Sequence, residues 1–229
     1  MINHDHLTLT SVSQMKGYNR WLVSRFLPYL GPTTIEVGAG IGTLARLYRH
    51  YTRPTLTDVN RGYVKTLKRK FPFPTYYFDA QRQLPQGLKK NFFSSIICSN
   101  VLEHVKNDES ALRNIFSLLK HGGSLLLFVP AGQNIYGEID RQLDHFRRYD
   151  KRELKQKLVA AGFKIKKIRY YNFVGYFSWW ISSKLLGRPH IDRKSAAIFG
   201  RFFTPLLYLE ELLPGLPFGQ NLFVVAAKA

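Results

Sequence analysis

In Ile35-Glu36-Val37-Gly38-Ala39-Gly40-Ile41-Gly42, a short apolar run delivers one acidic residue and then three glycines at alternate positions. Glycine reaches backbone conformations closed to other residues. Such a run lets a chain leaving a strand turn sharply and approach a ligand at a helix N-terminus, where free N–H groups and the macrodipole point outward. The segment therefore reads as a nucleotide-cofactor loop, and its surroundings must decide which cofactor.

Upstream, Trp21, Leu22, Phe26 and Leu27 recur at helical spacing until Gly31-Pro32 stops the helix by cap and breaker. Downstream, strands over 33–37, 54–57, 75–78, 94–99 and 124–129 are interleaved with helices over 43–50, 62–70 and 109–119. A helix over 151–161, closed by Gly162, feeds a strand over 163–169, and 222–227 makes a last strand. Strands alternating with helices imply crossover units. The predicted fold is α/β, a doubly wound, mostly parallel seven-stranded sheet covered on both faces. Ligands on such sheets bind at the carboxyl ends of the strands, near the switch in strand order.

We read residues 1–229 as one domain with a helical cap over 1–31 and a helical insertion over 171–220. About 50 residues part the last two strands, far beyond the usual short connection. They hold Phe173, Tyr176, Phe177, Trp179, Trp180, Leu185 and Leu186, then Arg188, Arg193, Lys194 and Arg201, then Leu206, Leu207, Leu209, Leu212 and Leu213. Aromatic helical faces with basic flanks suit either a lid packed on the core or a contact with a membrane surface or lipid substrate.

The 34 basic residues outnumber the 15 acidic ones, a net charge of +19 that favours acidic partners: nucleic acid, anionic lipid or phosphorylated substrates. The lone Cys98 lies in an apolar run, which excludes an intrachain disulfide and suits a reducing compartment. The N-terminus lacks the basic-then-apolar pattern of a secretory signal. The charge-free stretch 170–183 is shorter than the roughly 20 residues of a membrane-spanning helix. A cytoplasmic protein, peripheral at most to a membrane, is expected; the oligomeric state stays open.

A dehydrogenase fingerprint needs its third small residue three places after the second glycine, but here Gly42 follows Gly40 by two, so a dinucleotide fits poorly. Asp58 ends the second strand, where a carboxylate can accept from both hydroxyls of a ribose. Together, the glycine loop, Asp58, Phe78-Asp79-Ala80, Asn100-Val101-Leu102-Glu103-His104-Val105 and His121-Gly122-Gly123-Ser124-Leu125-Leu126-Leu127 resemble, in order and spacing, the motifs of class I S-adenosylmethionine-dependent methyltransferases. The resemblance spans residues 33–130 and implies a Rossmann-like fold with S-adenosylmethionine as cofactor. It implies that Gly38 and Gly40 let the loop touch the methionine part. Glu36 would orient that loop or the ammonium, and Asp58 would grip the ribose. Asp79 and the Ala80 N–H would meet the adenine, and Asn100 and Leu102 would border the methionine.

Methyl transfer is an in-line displacement, so most of the rate can come from positioning, and a base is needed only when the acceptor must lose a proton. His104 is one candidate base, although the Glu-His pair is also a common structural element of the resembled family. Some quinone-pathway O-methyltransferases with a related loop bind a divalent metal through two acidic residues and a histidine. Here Asn100 stands where the first acidic ligand would help, and no metal is expected. The second candidate is His145, in Asp140-Arg141-Gln142-Leu143-Asp144-His145-Phe146-Arg147-Arg148-Tyr149. This run resembles a His-x-Arg-Arg-Tyr segment of a bacterial branch linked with glycan or lipid biosynthesis. With Arg147, Arg148 and Tyr149 it suits an acidic acceptor, because guanidinium binds phosphate or carboxylate in two parallel bonds. Ion pairs of the two arginines with Asp140 and Asp144, and packing of Tyr149 over the next helix, are the structural alternatives.

The sequence thus points to transfer of a methyl group to an O or N atom of a small-molecule, glycan or lipid-linked acceptor, acidic in character. RNA methylation is the second option, disfavoured because no Asn-Pro-Pro-Tyr type motif follows the fourth strand. A noncatalytic scaffold docking on a membrane or partner is the third, and the intact series Glu36, Asp58 and Asp79 argues against it.

Overall fold

The structure is a computed structural model that describes residues 13–187, 204–213 and 215–229. Helix α1 (Lys16–Phe26) leads into strand β1 (Thr33–Val37). Then follow α2 (Ala45–Tyr48), β2 (Arg53–Asp58), α3 (Arg61–Lys70), β3 (Thr75–Tyr77), β4 (Phe93–Ser99), α4 (Asp108–Leu118) and β5 (Leu119–Pro130). The remainder is α5 (Glu138–Gln142), α6 (Lys151–Ala160), β6 (Phe163–Tyr171), α7 (Phe173–Trp179), α8 (Thr204–Glu210) and β7 (Asn221–Lys228).

The seven strands form one sheet in the order β3-β2-β1-β4-β5-β7-β6. β1 to β5 pair in parallel, and β7 runs antiparallel to both its neighbours. The switch in order therefore lies between β1 and β4, and it fixes where a ligand cleft can open. Alternation along the strands divides the core. Ile35, Val37, Ile96, Cys98, Leu125 and Leu127 pack on one face. Ile97, Leu126, Phe128, Phe223 and Val225 meet Trp21 and Phe26 of α1 on the other.

Local chemistry sets the helices. The Asn60 Oδ1 accepts from the N–H groups of Gly62 (2.8 Å) and Tyr63 (3.3 Å), capping α3, whose last turn carries Lys68, Arg69 and Lys70 toward the negative dipole end. Asn107 caps α4, and Ala111, Leu112, Ile115 and Leu118 form its buried stripe.

Two elements differ from expectation. The helix expected over 43–50 contracts to the four residues of α2, flanked by turns, because Gly42 N bonds Ala39 O in a tight turn before it. Strand five, expected over 124–129, begins at Leu119, so His121-Gly122-Gly123 lies within it. Phe93 pairs with Leu119 and Ser95 with Ser124; the surplus residues fold into a bulge in which Gly122 adopts φ +73°.

The described residues of the insertion include helices. α7 passes into a π-helical turn, Trp180–Leu185. The Glu210 carboxylate at the end of α8 accepts from the N–H groups of Asn172 (2.7 Å) and Phe173 (2.9 Å), tying α8 to the start of α7. Leu207 joins the core beneath α1, and Arg25 pairs with Glu211 at 3.0 Å. Arg188, Arg193, Lys194 and Arg201, and His4 and His6 near the N-terminus, lie outside the described residues.

Candidate functional site

Gly38, Gly40 and Gly42 all adopt left-handed backbone, at φ +74°, +55° and +83°. A Cβ on Gly38 would lie 2.4 Å from Val101 Cγ2, and one on Gly42 2.3 Å from Phe71 Cε2, so both conformation and space demand glycine. The buried Asp58 accepts from Gly40 N at 2.7 Å through Oδ2 and from Asn60 N at 2.8 Å through Oδ1. Each carboxylate oxygen keeps a further lone pair for a ligand hydroxyl. Burial raises the Asp58 pKa, opposed by these N–H donors. Glu36, also buried, accepts from Tyr48 Oη at 2.7 Å; desolvation pushes its pKa up to about 8 against that bond, with Asp58 adding repulsion.

Asp79 sits beyond β3, with Oδ1 accepting from Gln81 N (3.2 Å) and Oδ2 paired with Arg82 (3.1 Å); Ala80 beside it is buried. The exposed Asn100, at φ +51°, follows β4 and bonds Phe128 O through its backbone N–H (2.8 Å). Glu36, Gly38, Gly40, Asp58, Asp79 and Asn100 thus stand on four consecutive strand ends or the loops leaving them. The Leu102 side chain is wholly buried in the core, and its carbonyl accepts from Tyr149 Oη at 3.2 Å. The donor and acceptor set, carboxylates at strand ends around a left-handed glycine loop, fits a ligand with an ammonium, a ribose diol and an adenine edge.

Across the switch point, the loop after β5 folds back on the end of β4. Phe146 N bonds Glu103 O at 2.8 Å, and the His104 and His145 rings meet edge-to-face, centroids 4.7 Å apart. His145 Nδ1 lies 2.9 Å from Oδ1 of the fully buried Asp140. Burial would raise the Asp140 pKa, yet His145, Arg148 and Trp179 together hold it below the usual carboxylate range. An ionised Asp140 accepts, which places a proton on the His145 Nδ1. His104 is crowded by the chain yet reaches solvent at its edge; desolvation first, then His145, push its pKa down to about 4. Glu103 is fully buried with both carboxylate oxygens unpartnered by hydrogen bonds, and burial lifts its pKa to about 7, offset in part by His145 and Arg148.

Arg148 and Tyr149 serve differently from the acceptor-binding roles expected of them. Arg148 is 1% exposed and each of its three nitrogens donates within the protein: Nε to Ala131 O (2.9 Å), Nη1 to Asp140 (3.0 Å), Nη2 to Gln220 O (3.1 Å), with its guanidinium 4.8 Å over the Trp179 ring. Tyr149 is fully buried and donates to Asp108 Oδ2 at 2.9 Å. Arg147 pairs with the same Asp108 at 2.8 Å rather than with Asp140 or Asp144, and Lys157 joins them at 2.9 Å. The Arg-Arg-Tyr run therefore pins the loop to the sheet.

The insertion reaches this network. Trp179 Nε1 donates to Asp140 Oδ2 at 3.0 Å, Ser183 Oγ accepts from Ile139 N at 3.0 Å, and Asn134 Nδ2 donates to Tyr176 Oη at 2.6 Å. Sequence reasoning gave no role to Asp108, Trp179 or Gln220, whose partners lie 39 to 72 residues away. Asp140 was legible only as an ion-pair partner; its spacing of five residues from His145 is no helical or strand periodicity.

Among solved structures, a SAM dependent methyltransferase from Archaeoglobus fulgidus is similar at a TM-score of 0.63 and 19% identity, over 93% of this chain and 94% of that one. The 4+2 cyclase SpnF is similar too, at 0.59 and 19%, over 93% and 81%, so the likeness speaks for fold alone. A hybrid PKS-NRPS synthetase, iliA, from Neonectria sp. is 31% identical over 109 residues. That match covers 43% of this chain but 3% of the synthetase, and the chain spans only a few per cent of the length of such relatives. The family model described as a methyltransferase domain matches residues 12–168, more than half of the sequence, and the chain belongs to that family.

Proposed function

We propose that the protein transfers a methyl group from S-adenosylmethionine to an O or N atom of a small-molecule, glycan or lipid-linked acceptor. The observation that carries this is the left-handed Gly38–Gly42 loop locked to Asp58, with Glu36 and Asp79 on adjoining strand ends, in a methyltransferase-domain chain. When bound, the cofactor supplies an electrophilic methyl on a sulfonium. Gly38 and Gly40 admit the methionine part, Asp58 accepts from the ribose and Asp79 from the adenine amino group. An acceptor would lie at the end of β4, beside His104 and His145, with its nucleophilic atom toward the cofactor methyl. An acceptor O–H gives its proton to His145 Nε2. Asp140 fixes the imidazole tautomer for that step, and Arg148, Trp179 and Tyr149 hold the loop in place.

The acidic character of the acceptor rests on the net charge of +19, since Arg147 and Arg148 are paired with Asp108 and Asp140. A lipid-linked acceptor is favoured by the apolar surface of the insertion: Phe177, Trp180, Ile181, Leu185 and Leu186 are exposed on α7 and its π turn. Among the described residues no helix is long and apolar enough to cross a membrane, so any contact is at the surface. Titration calorimetry with S-adenosylmethionine and its demethylated product tests the central claim: saturable binding of both is expected, and binding of neither refutes it. Flotation with anionic and neutral vesicles tests the surface contact, which should require lipid charge and weaken with salt.

A further inference from the structure

Glu103, His104 and His145 bring one carboxylate oxygen and one ring nitrogen each to within 4.8 Å of one another. A second observation gives this cluster direction. Glu103 is fully buried, and neither of its oxygens has a hydrogen-bond partner, whereas buried carboxylates are ordinarily paired or bonded. One of the histidines is held from behind. His145 Nδ1 is engaged by Asp140, itself fixed by Arg148 and Trp179, and the His104 ring packs edge-to-face on the His145 ring. A histidine anchored by a carboxylate through one nitrogen, with the other free, is the outer-shell arrangement that orients metal ligands.

We propose that Glu103, His104 and His145 bind a first-row divalent cation, leaving open positions on the exposed side of His104. Two imidazoles and one carboxylate match the ligand preference of Zn²⁺, Fe²⁺, Co²⁺ and Mn²⁺, and three protein ligands leave room for water or an acceptor oxygen. The expectation of no metal weighed Asn100, Glu103 and His104 alone; the fold supplies His145 from 41 residues beyond His104. Bond lengths of roughly 2.0–2.2 Å require the three atoms to draw together, which the exposed His104 side of the cluster permits. The proposal rests on the reading of this end of the cleft as the acceptor's. In the loaded protein His145 would serve as a ligand and not as a base, and the cation would supply Lewis-acid polarisation of an acceptor oxygen, whose proton would pass to solvent.

Chelator-treated full-length protein titrated with Co²⁺, read by visible absorption and calorimetry, tests this. One Co²⁺ per chain with ligand-field bands is expected, and Glu103→Gln and His145→Asn should each weaken binding more than tenfold. Asp140→Asn keeps all three ligands and should weaken it about 10- to 100-fold with the bands retained. S-adenosylmethionine binding by the metal-free protein is measured beside it, so that failure of the cation site and failure of the methyltransferase assignment are told apart. Absence of saturable binding to the wild-type chain overturns the proposal, as does binding undiminished in Glu103→Gln and His145→Asn variants that keep the wild-type circular dichroism.

Discussion

The two halves of the proposed site are built by different rules. On the side proposed for the cofactor, Glu36, the glycines and Asp58 lie within 23 residues, and the bonds Asp58 to Gly40 and Tyr48 to Glu36 bridge 18 and 12 positions. On the side proposed for the acceptor, Asp140 gathers His145, Arg148 and Trp179, and Arg148 reaches Gln220 across 72 positions. The first is a turn whose geometry its own residues dictate. The second is a buried polar network that exists only once β4, β5, the insertion and β7 have assembled, and it fails as a unit if one member goes.

Asp140→Ala should sharpen that contrast most. Removing one partner of a buried ion pair leaves the Arg148 guanidinium uncompensated, and a loss of about 3–5 kcal/mol in urea unfolding is expected. A loss below about 1 kcal/mol would break the picture of an interdependent acceptor side.

Glu36 offers the corresponding test on the cofactor side, through pH. Its folded pKa, near 8, lies above the unfolded value, so between about pH 5 and 8 the folded state holds the extra proton and stability falls as pH rises. Glu36→Gln keeps an acceptor for Tyr48 and removes the titration. From pH 5 to 8 the wild type should lose on the order of 3 kcal/mol more than this variant in ligand-free denaturation. Parallel pH profiles would show that Glu36 is ionised in the folded protein.

Asp58→Ala removes the tie to Gly40 together with the ribose acceptor, and cofactor affinity should fall by about 1.5–3 kcal/mol while the fold persists. Unchanged affinity by calorimetry would contradict the ribose assignment. The smallest effect is expected at Asn60→Ala, which uncaps α3 beside Asp58 and should cost about 1 kcal/mol of stability. If that variant loses cofactor affinity as far as Asp58→Ala does, the loop is held by α3 and not by Asp58.

These differences explain what could be read without coordinates. The seven strands and the stop at Gly162, which takes left-handed backbone just after α6, followed from periodicity and breakers, since both are written in neighbouring residues, whereas α1 ends at Phe26, before the expected stop at Gly31. The early start of β5 was missed because Leu119 to Gly123 carries the polar and glycine signals of a passage, while the bulge opposite Phe93 keeps it paired. Arg148 and Tyr149 looked like acceptor ligands because charge and polarity are visible in a sequence and burial is not.

By itself the sequence determined the sheet, the glycine loop and the acidic series on the strand ends, because backbone conformation and strand alternation are local properties. The tertiary structure alone decided that Arg148 and Tyr149 are buried and bonded within the protein, that Asp140 lies against His145 Nδ1, and that Glu103 faces two histidines without a hydrogen-bond partner. Those outcomes depend on which distant groups share one desolvated volume, and only packing brings them there.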